Sequence, residues 1–148
     1  MEDIVIIGAG VTGCSIAREL SRYDLKITVV EKEEDVACGT SKANSAIIHA
    51  GFDATPGTWK AKMNVEGNKL YPALCEELNV PFVKNGSLVV AVSDEEEKAL
   101  EELLERGKKN RVEHLRIIGR DELHALEPNL SPNARAALDA PTGGLVCP

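Results

Sequence analysis

The stretch Asp3-Ile-Val-Ile-Ile-Gly-Ala-Gly-Val-Thr-Gly13 decides how the first part of this chain folds. Its apolar, β-branched beginning is typical of a strand that is buried on both faces of a parallel sheet. The glycines that follow have the spacing Gly8-x-Gly10-x-x-Gly13, which favours a tight turn into a helix. In such a turn Gly8 permits the bend, Gly10 lets the backbone approach a pyrophosphate, and Gly13 lets helix and strand pack closely.

The residues after the glycine turn complete a βαβ unit. Residues 14–22 carry apolar side chains at helical spacing, and residues 26–31 form a second apolar, β-branched run. A strand, a glycine turn, a helix and a strand within about 30 residues predict a Rossmann-like α/β unit that binds a dinucleotide. The helix N-terminus would face the phosphates, and Val11 and Thr12 of the glycine motif are counted among the cofactor-binding residues.

Glu31 ends the second strand, 23 residues after Gly8. A carboxylate there can accept both ribose hydroxyls of an adenosine and would repel a 2′-phosphate, which disfavours NADP. The alternative is a solvated acid at the head of the charged run 31–35. Lys32, beside it, is also counted among the cofactor-binding residues. These residues leave both NAD and FAD open as cofactors.

Composition excludes several classes of protein. The 148 residues carry 17 Lys+Arg against 24 Asp+Glu, a net charge of −7, and only 3% are aromatic, which disfavours a nucleic-acid binder. No apolar run approaches the ~20 residues of a membrane span. The four cysteines lack metal-ligand spacing, so we expect reduced thiols and no metal site. We therefore predict a cytoplasmic protein, with peripheral membrane association through an electron acceptor as the alternative.

The second half of the chain changes character. A helix is predicted over 58–78, with Pro72 expected to kink or split it. Two strands are predicted around the Asn85-Gly86 turn, then a helix over 95–109 capped by Asp94. Further pieces follow: a strand at 115–118, a short helix from residue 121, and a strand at 134–138. The last residues, 141–148, show no element. We therefore expect a dinucleotide-binding part at 1–78 and, at 79–148, the start of an antiparallel α+β substrate domain.

The chain shows only one half of a doubly wound sheet, which needs two such halves and about six strands. We therefore expect it to be a fragment of a larger chain, or to need a companion chain that completes the cofactor site.

A further stretch resembles a known family. Residues 39–51, Gly-Thr-Ser-Lys-Ala-Asn-Ser-Ala-Ile-Ile-His-Ala-Gly, followed by Pro56-Gly57, resemble the D-amino-acid-oxidase-like superfamily of FAD-dependent oxidoreductases. They are most similar to its glycerol-3-phosphate dehydrogenase and L-2-hydroxyglutarate oxidase branch. Residues 86–91, 126–129 and 141–148 fit the same pattern. The resemblance implies FAD bound by the βαβ unit, an antiparallel substrate domain after it, and a chain that covers about the first third of a family protein.

The resemblance also implies roles for individual residues. Thr40, Ser41, Asn44 and Ser45 would line the flavin's pyrophosphate and ring edge; the alternative is an ordinary capped helix start. His49 resembles the family's histidine beside the isoalloxazine, with a catalytic role; the alternative is a core histidine bonded to backbone. The family often has an acid before the last proline, where this chain has Cys147, which we expect to be a buried structural thiol.

The predicted function is an FAD-dependent dehydrogenase or oxidase. It would take a hydride from the hydroxyl-bearing carbon of a small-molecule substrate, either glycerol 3-phosphate or a small 2-hydroxy acid. Three alternatives remain open at this point: an amino-acid or sarcosine-type flavin oxidase, an NAD-dependent dehydrogenase, and a non-catalytic flavin-binding subunit.

Overall fold

The computed structural model describes residues 1–146. Within that range the chain contains four helices and eight strands, in two compact units. The first unit runs from Met1 to Ser45 and the second begins at Ala46. The functional boundary expected after residue 78 concerns cofactor and substrate binding, and it stays a prediction. The expectation for Cys147 lies outside the described residues.

The first unit is the expected βαβ unit. Strand β1 (Ile4–Ile7) leads through the glycine turn into helix α1 (Val11–Leu20), and strand β2 (Ile27–Val30) follows. The two strands pair in parallel, with Ile4 opposite Ile27 and Ile7 opposite Val30. Helix α1 begins three residues earlier than predicted because Gly10 is its N-cap, so Gly13 lies inside the helix.

The expectation that these strands are buried on both faces is wrong. Val5 is 55% exposed and Ile7 is 89% exposed, and the last two residues of β2, Val29 and Val30, are exposed as well. The reason is that this sheet has two strands within the described residues, so one face has no layer packed on it. An apolar strand sequence indicates burial in a complete sheet, which two strands do not form.

The second unit is mixed α and antiparallel β, as predicted. Its elements are β3 (Ile47–Ile48), α2 (Trp59–Leu78), β4 (Phe82–Val83), β5 (Ser87–Ala91), α3 (Asp94–Lys109), β6 (Arg116–Gly119), α4 (Arg120–Leu126), β7 (Ala136–Ala140) and β8 (Gly144–Val146). They form two three-stranded antiparallel sheets, in the orders β3-β8-β4 and β5-β7-β6. Helices α3 and α4 pack on the second sheet, and its core holds the fully buried Ile118, Leu123 and Leu138.

The predicted hairpin around Asn85-Gly86 is wrong. Strand β4 pairs with β8, and β5 pairs with β7, so the two strands belong to different sheets. A two-residue hairpin turn of type I′ needs positive φ at both central residues, but only Gly86 has it, at +73°. The backbone N–H of Gly86 instead donates to the carbonyl of Gly143 at 2.9 Å.

Three smaller expectations also need correction. Helix α2 continues through Pro72, which therefore does not split it. Helix α3 is capped by Ser93 rather than Asp94, because the Ser93 hydroxyl accepts from the Glu96 N–H at 3.3 Å. Residues 144–146 form β8, which was missed because three residues are too few to show an alternation of apolar and polar side chains.

None of the helices among residues 1–146 combines the length and the apolar character needed to cross a bilayer.

Candidate cofactor site

The first unit contains a cavity of about 480 Å³ beside the start of α1. This volume lies within the range of roughly 300–1,000 Å³ that is usual for small-molecule sites. The lining residues come from the glycine turn, the end of β2 and the loop that follows: Ile7, Gly8, Gly10, Val30, Glu31, Lys32, Glu33, Ala37, Cys38, Gly39, Thr40 and Ser41. Six of them, Gly8, Gly10, Glu31, Lys32, Thr40 and Ser41, were predicted from the sequence.

The glycine turn provides close backbone approach and free donors. A Cβ on Gly13 would collide with the carbonyl of Gly8, and a Cβ on Gly10 would lie 3.1 Å from the Ser41 hydroxyl. The Val11 N–H donates to that hydroxyl at 2.9 Å. The next two N–H groups of α1, from Thr12 and Gly13, have no partner within residues 1–146. Since a helix N-terminus with open donors favours an anion, this turn fits the pyrophosphate of FAD.

Glu31 is held in place by backbone donors. Its Oε2 accepts from the Ala9 N–H at 2.7 Å, and its Oε1 accepts from the N–H groups of Lys32 at 2.8 Å and Glu33 at 3.2 Å. These bonds lower the pKa of the carboxyl, the Ala9 bond most of all. A carboxylate has about four lone-pair sites, so one site on Oε2 remains for a ribose hydroxyl. Accepting a second hydroxyl would require one backbone N–H to be displaced.

The loop after β2 is fixed to the glycine turn. Ala37 has a positive φ of 59°, and its N–H donates to the Ala9 carbonyl at 3.0 Å. The Asn44 amide donates to the carbonyls of Thr40 at 3.2 Å and Ser41 at 2.9 Å. Asn44 thus supports the loop but does not line the cavity, and neither does Ser45. The sequence carried no signal for Ala37 and Cys38, whose small side chains belong to no motif.

His49 lies in the second unit, directly after β3. Its side chain is exposed within the described residues, between the buried Ile48 and Ala50. Its carbonyl accepts from the Asn68 amide at 3.1 Å, and the same amide donates to the Thr142 carbonyl at 2.9 Å. The backbone at His49 is therefore fixed while its imidazole stays accessible.

A second asparagine fixes the residues after His49. The Asn110 amide donates to the carbonyls of Gly51 at 3.0 Å and Ala54 at 2.7 Å. Gly51 has a φ of +104°, and a Cβ there would approach the Val65 side chain to 2.6 Å. The roles of Asn68 and Asn110 could not be predicted from the sequence, because both side chains donate to carbonyls that are distant along the chain.

Comparison with known proteins agrees with this geometry. Residues 3–148 match the family described as FAD dependent oxidoreductase. The chain is 53% identical over 148 residues to glycerol 3-phosphate dehydrogenase from Caloramator mitchellensis, covering 100% of this chain and 31% of that protein. It is 40% identical over 146 residues to the mitochondrial L-2-hydroxyglutarate dehydrogenase of Nematostella vectensis, covering 97% and 32%.

A solved structure shows the same fold. Dithionite-reduced L-alpha-glycerophosphate oxidase from Mycoplasma pneumoniae, with FAD bound, has a TM-score of 0.90 and 37% identity, over 98% of this chain and 38% of that chain. The chain thus spans about a third of the length of the relatives it matches. The cofactor is FAD, and the NAD-dependent alternative is wrong. The resemblance noted in the sequence is confirmed, and the chain belongs to the FAD-dependent oxidoreductase family.

Proposed function

We propose that this chain is the N-terminal, FAD-binding part of an enzyme that oxidises the CH–OH group of glycerol 3-phosphate or a small 2-hydroxy acid. The observation that carries the proposal is the 53% identity, over the full chain, to a glycerol 3-phosphate dehydrogenase. The relative at 40% identity is named for a 2-hydroxy acid, which supports the wider substrate class.

The first unit would hold the adenosine and pyrophosphate part of FAD. Glu31 would accept a ribose hydroxyl, and the N–H groups of Thr12 and Gly13 would donate to the pyrophosphate. The Ser41 hydroxyl, which bonds the first N–H of α1, lies where it can also donate to a phosphate oxygen. When bound, FAD supplies the hydride acceptor, and the chain's residues bind and orient it.

His49 is proposed as the catalytic residue on the second unit. An exposed imidazole can take a proton from a substrate hydroxyl, and the imidazolium that this forms can stabilise negative charge on the reduced flavin. The amide of Asn68 keeps its backbone in place.

Calorimetry with ADP tests the adenosine site in this chain. Glu31→Ala should weaken binding about 10- to 150-fold, the worth of a charge-assisted hydrogen bond. Glu34→Ala, which removes an exposed carboxylate that does not line the cavity, is the matched control. Equal affinity of Glu31→Ala and the parent would show that the ribose assignment is wrong. FAD itself should bind this chain weakly, because we expect the second flavin-binding segment to lie outside it.

The substrate is tested with a chain that carries the remaining two thirds of the relatives' length. Under anaerobic conditions glycerol 3-phosphate or L-2-hydroxyglutarate should bleach the visible absorbance of the flavin. Bleaching by glycine or sarcosine instead would favour an amine oxidase, and no bleaching by any of them would favour a non-catalytic subunit. His49→Gln should lower turnover ~10²-fold with FAD still bound. Full activity of His49→Gln would remove the histidine from the mechanism.

The remaining expectations stay proposals of the same kind. Asn44 would act near the flavin through the loop that it supports, Ser45 would line the flavin as the resemblance implies, and Lys32 would act at the cavity rim. A companion chain or C-terminal remainder would complete the flavin site. A cytoplasmic location is supported by the acidic composition.

A further inference from the structure

The second unit contains a groove between the start of α2 and the end of α3, with a volume of about 450 Å³. Its floor includes the buried Ala61 and Val65. Its rim carries four cations and one carboxylate: Lys62, Lys69, Lys109 and Arg111, with Glu66. The groove shares no residue with the cofactor cavity of the first unit.

The four cations differ in how they are held within the described residues. Lys69 lies 3.4 Å from the carboxylate of Glu113, and Lys62 lies over the Trp59 ring at 5.0 Å from its centre. The side chains of Lys109 and Arg111, in contrast, make no hydrogen bond or ion pair with the part of the chain that the structure describes. The adjacent Lys108 pairs with Glu105 at 2.7 Å. Although acids outnumber bases in the whole chain by 24 to 17, the groove is lined by four cations and one carboxylate, which makes it a locally positive patch.

The backbone at Arg111 closes helix α3. Arg111 has a φ of +63°, a left-handed conformation that glycine or asparagine adopts more easily just after a helix. The dipole of α3 explains basic residues in its last turn, such as Lys109. It does not explain Arg111 beyond the helix end, nor Lys62 and Lys69 on a different helix. This conformation belongs to the C-terminal cap of α3, in which the Arg111 N–H donates to the Lys108 carbonyl at 2.9 Å and the Val112 N–H donates to the Gly107 carbonyl at 3.0 Å. The cap fixes the point at which the Arg111 side chain leaves the helix end, beside the groove.

We propose that this groove binds a small phosphate-bearing anion. The guanidinium of Arg111 can hold two phosphate oxygens at once, and Lys109 supplies a second cation beside it. The indole of Trp59, 72% exposed at the rim, and the apolar floor at Val65 would contact the rest of the molecule.

Tryptophan fluorescence reads this groove directly, because Trp59 is the only tryptophan in the chain. Titration with inorganic pyrophosphate at low ionic strength should give a saturable change in its emission. The double variant K109Q/R111Q should weaken this binding at least about tenfold. The control K84Q/K98Q removes the same charge from two exposed lysines outside the groove, and should change the affinity less than about twofold. Far-ultraviolet circular dichroism checks that each variant folds; if K109Q/R111Q does not, K62Q on the opposite wall should weaken binding instead.

Each contrary result would overturn the proposal. No saturable change with pyrophosphate would mean that the groove has no phosphate site. A fluorescence response that survives in K109Q/R111Q would show that the anion binds elsewhere. An equal loss of affinity in K84Q/K98Q would show that the response reflects only the overall charge of the chain. A response to vesicles of phosphatidylglycerol but not to pyrophosphate would make this face a lipid-contact surface.

Discussion

The side chain of Asn110 should contribute far more to the free energy of unfolding than its position at a helix end indicates. It donates to the carbonyls of Gly51 and Ala54, which follow His49. A buried or half-buried hydrogen bond contributes a net 0.5–1.5 kcal/mol, so Asn110→Ala should lower the free energy of unfolding by about 1–3 kcal/mol. Asn110→Asp, of nearly the same shape, should cost at least as much, because a carboxylate cannot donate and would face two carbonyl oxygens.

Urea unfolding followed by Trp59 fluorescence measures this loss, since Trp59 belongs to the same compact unit. Asn129→Ala is the control, because that amide is exposed and makes no side-chain hydrogen bond within the described residues. A loss below about 0.5 kcal/mol for Asn110→Ala would refute the reasoning. It would show that water satisfies the two carbonyls as well as the amide does. The same conclusion would follow if Asn110→Asp were as stable as the parent.

Three further predictions concern the glycine turn, acid stability and the core. Gly10→Val should abolish measurable ADP binding in calorimetry, because a Cβ at residue 10 would already lie 3.1 Å from the Ser41 hydroxyl; Gly67→Ala, with no atom within 4 Å of the new Cβ and outside the cavity, should bind normally. The lowered pKa of Glu31 means that its stabilisation is complete above the ordinary value of 4.5 and is lost as the pH falls through the lower folded value. The protection factor of the Ala9 amide, which compares its exchange rate with the intrinsic rate at the same pH, should therefore fall in acid, and Glu31→Gln, which remains neutral, should remove this dependence. Leu123→Ala, at a fully buried site, should cost about 2–5 kcal/mol in urea unfolding, while the exposed Leu126→Ala should cost under about 1 kcal/mol; similar losses for both would contradict this packing.

The first unit could be predicted from the sequence because its signals are local. The β-branched runs, the glycine spacing and Glu31 all lie within 31 residues, and each has a specific geometric meaning. The strand pairing of the second unit could not be predicted from the sequence. Strands of two residues, such as Ile47–Ile48 and Phe82–Val83, show no alternation, and both pair with β8 far along the chain.

The candidate site residues also divide into those with local sequence signals and those without. Gly10 and Ser41 belong to recognisable patterns and were found. Asn68 bonds to a carbonyl 74 residues away, and Asn110 to one 59 residues away. An amide that donates to a distant carbonyl has no characteristic spacing, so only the folded structure reveals it.

The open sheet of the first unit has a consequence for handling the protein in solution. Strands β1 and β2 pair only with each other within residues 1–146, so each has an outer edge whose backbone N–H and C=O groups lack a strand partner. Ile7 and Val5 expose apolar side chains beside these edges. Such edges readily pair with those of other molecules, and this route leads to aggregation. Light scattering by the purified chain should therefore rise steeply with concentration, and salting-out anions such as sulfate should strengthen the effect.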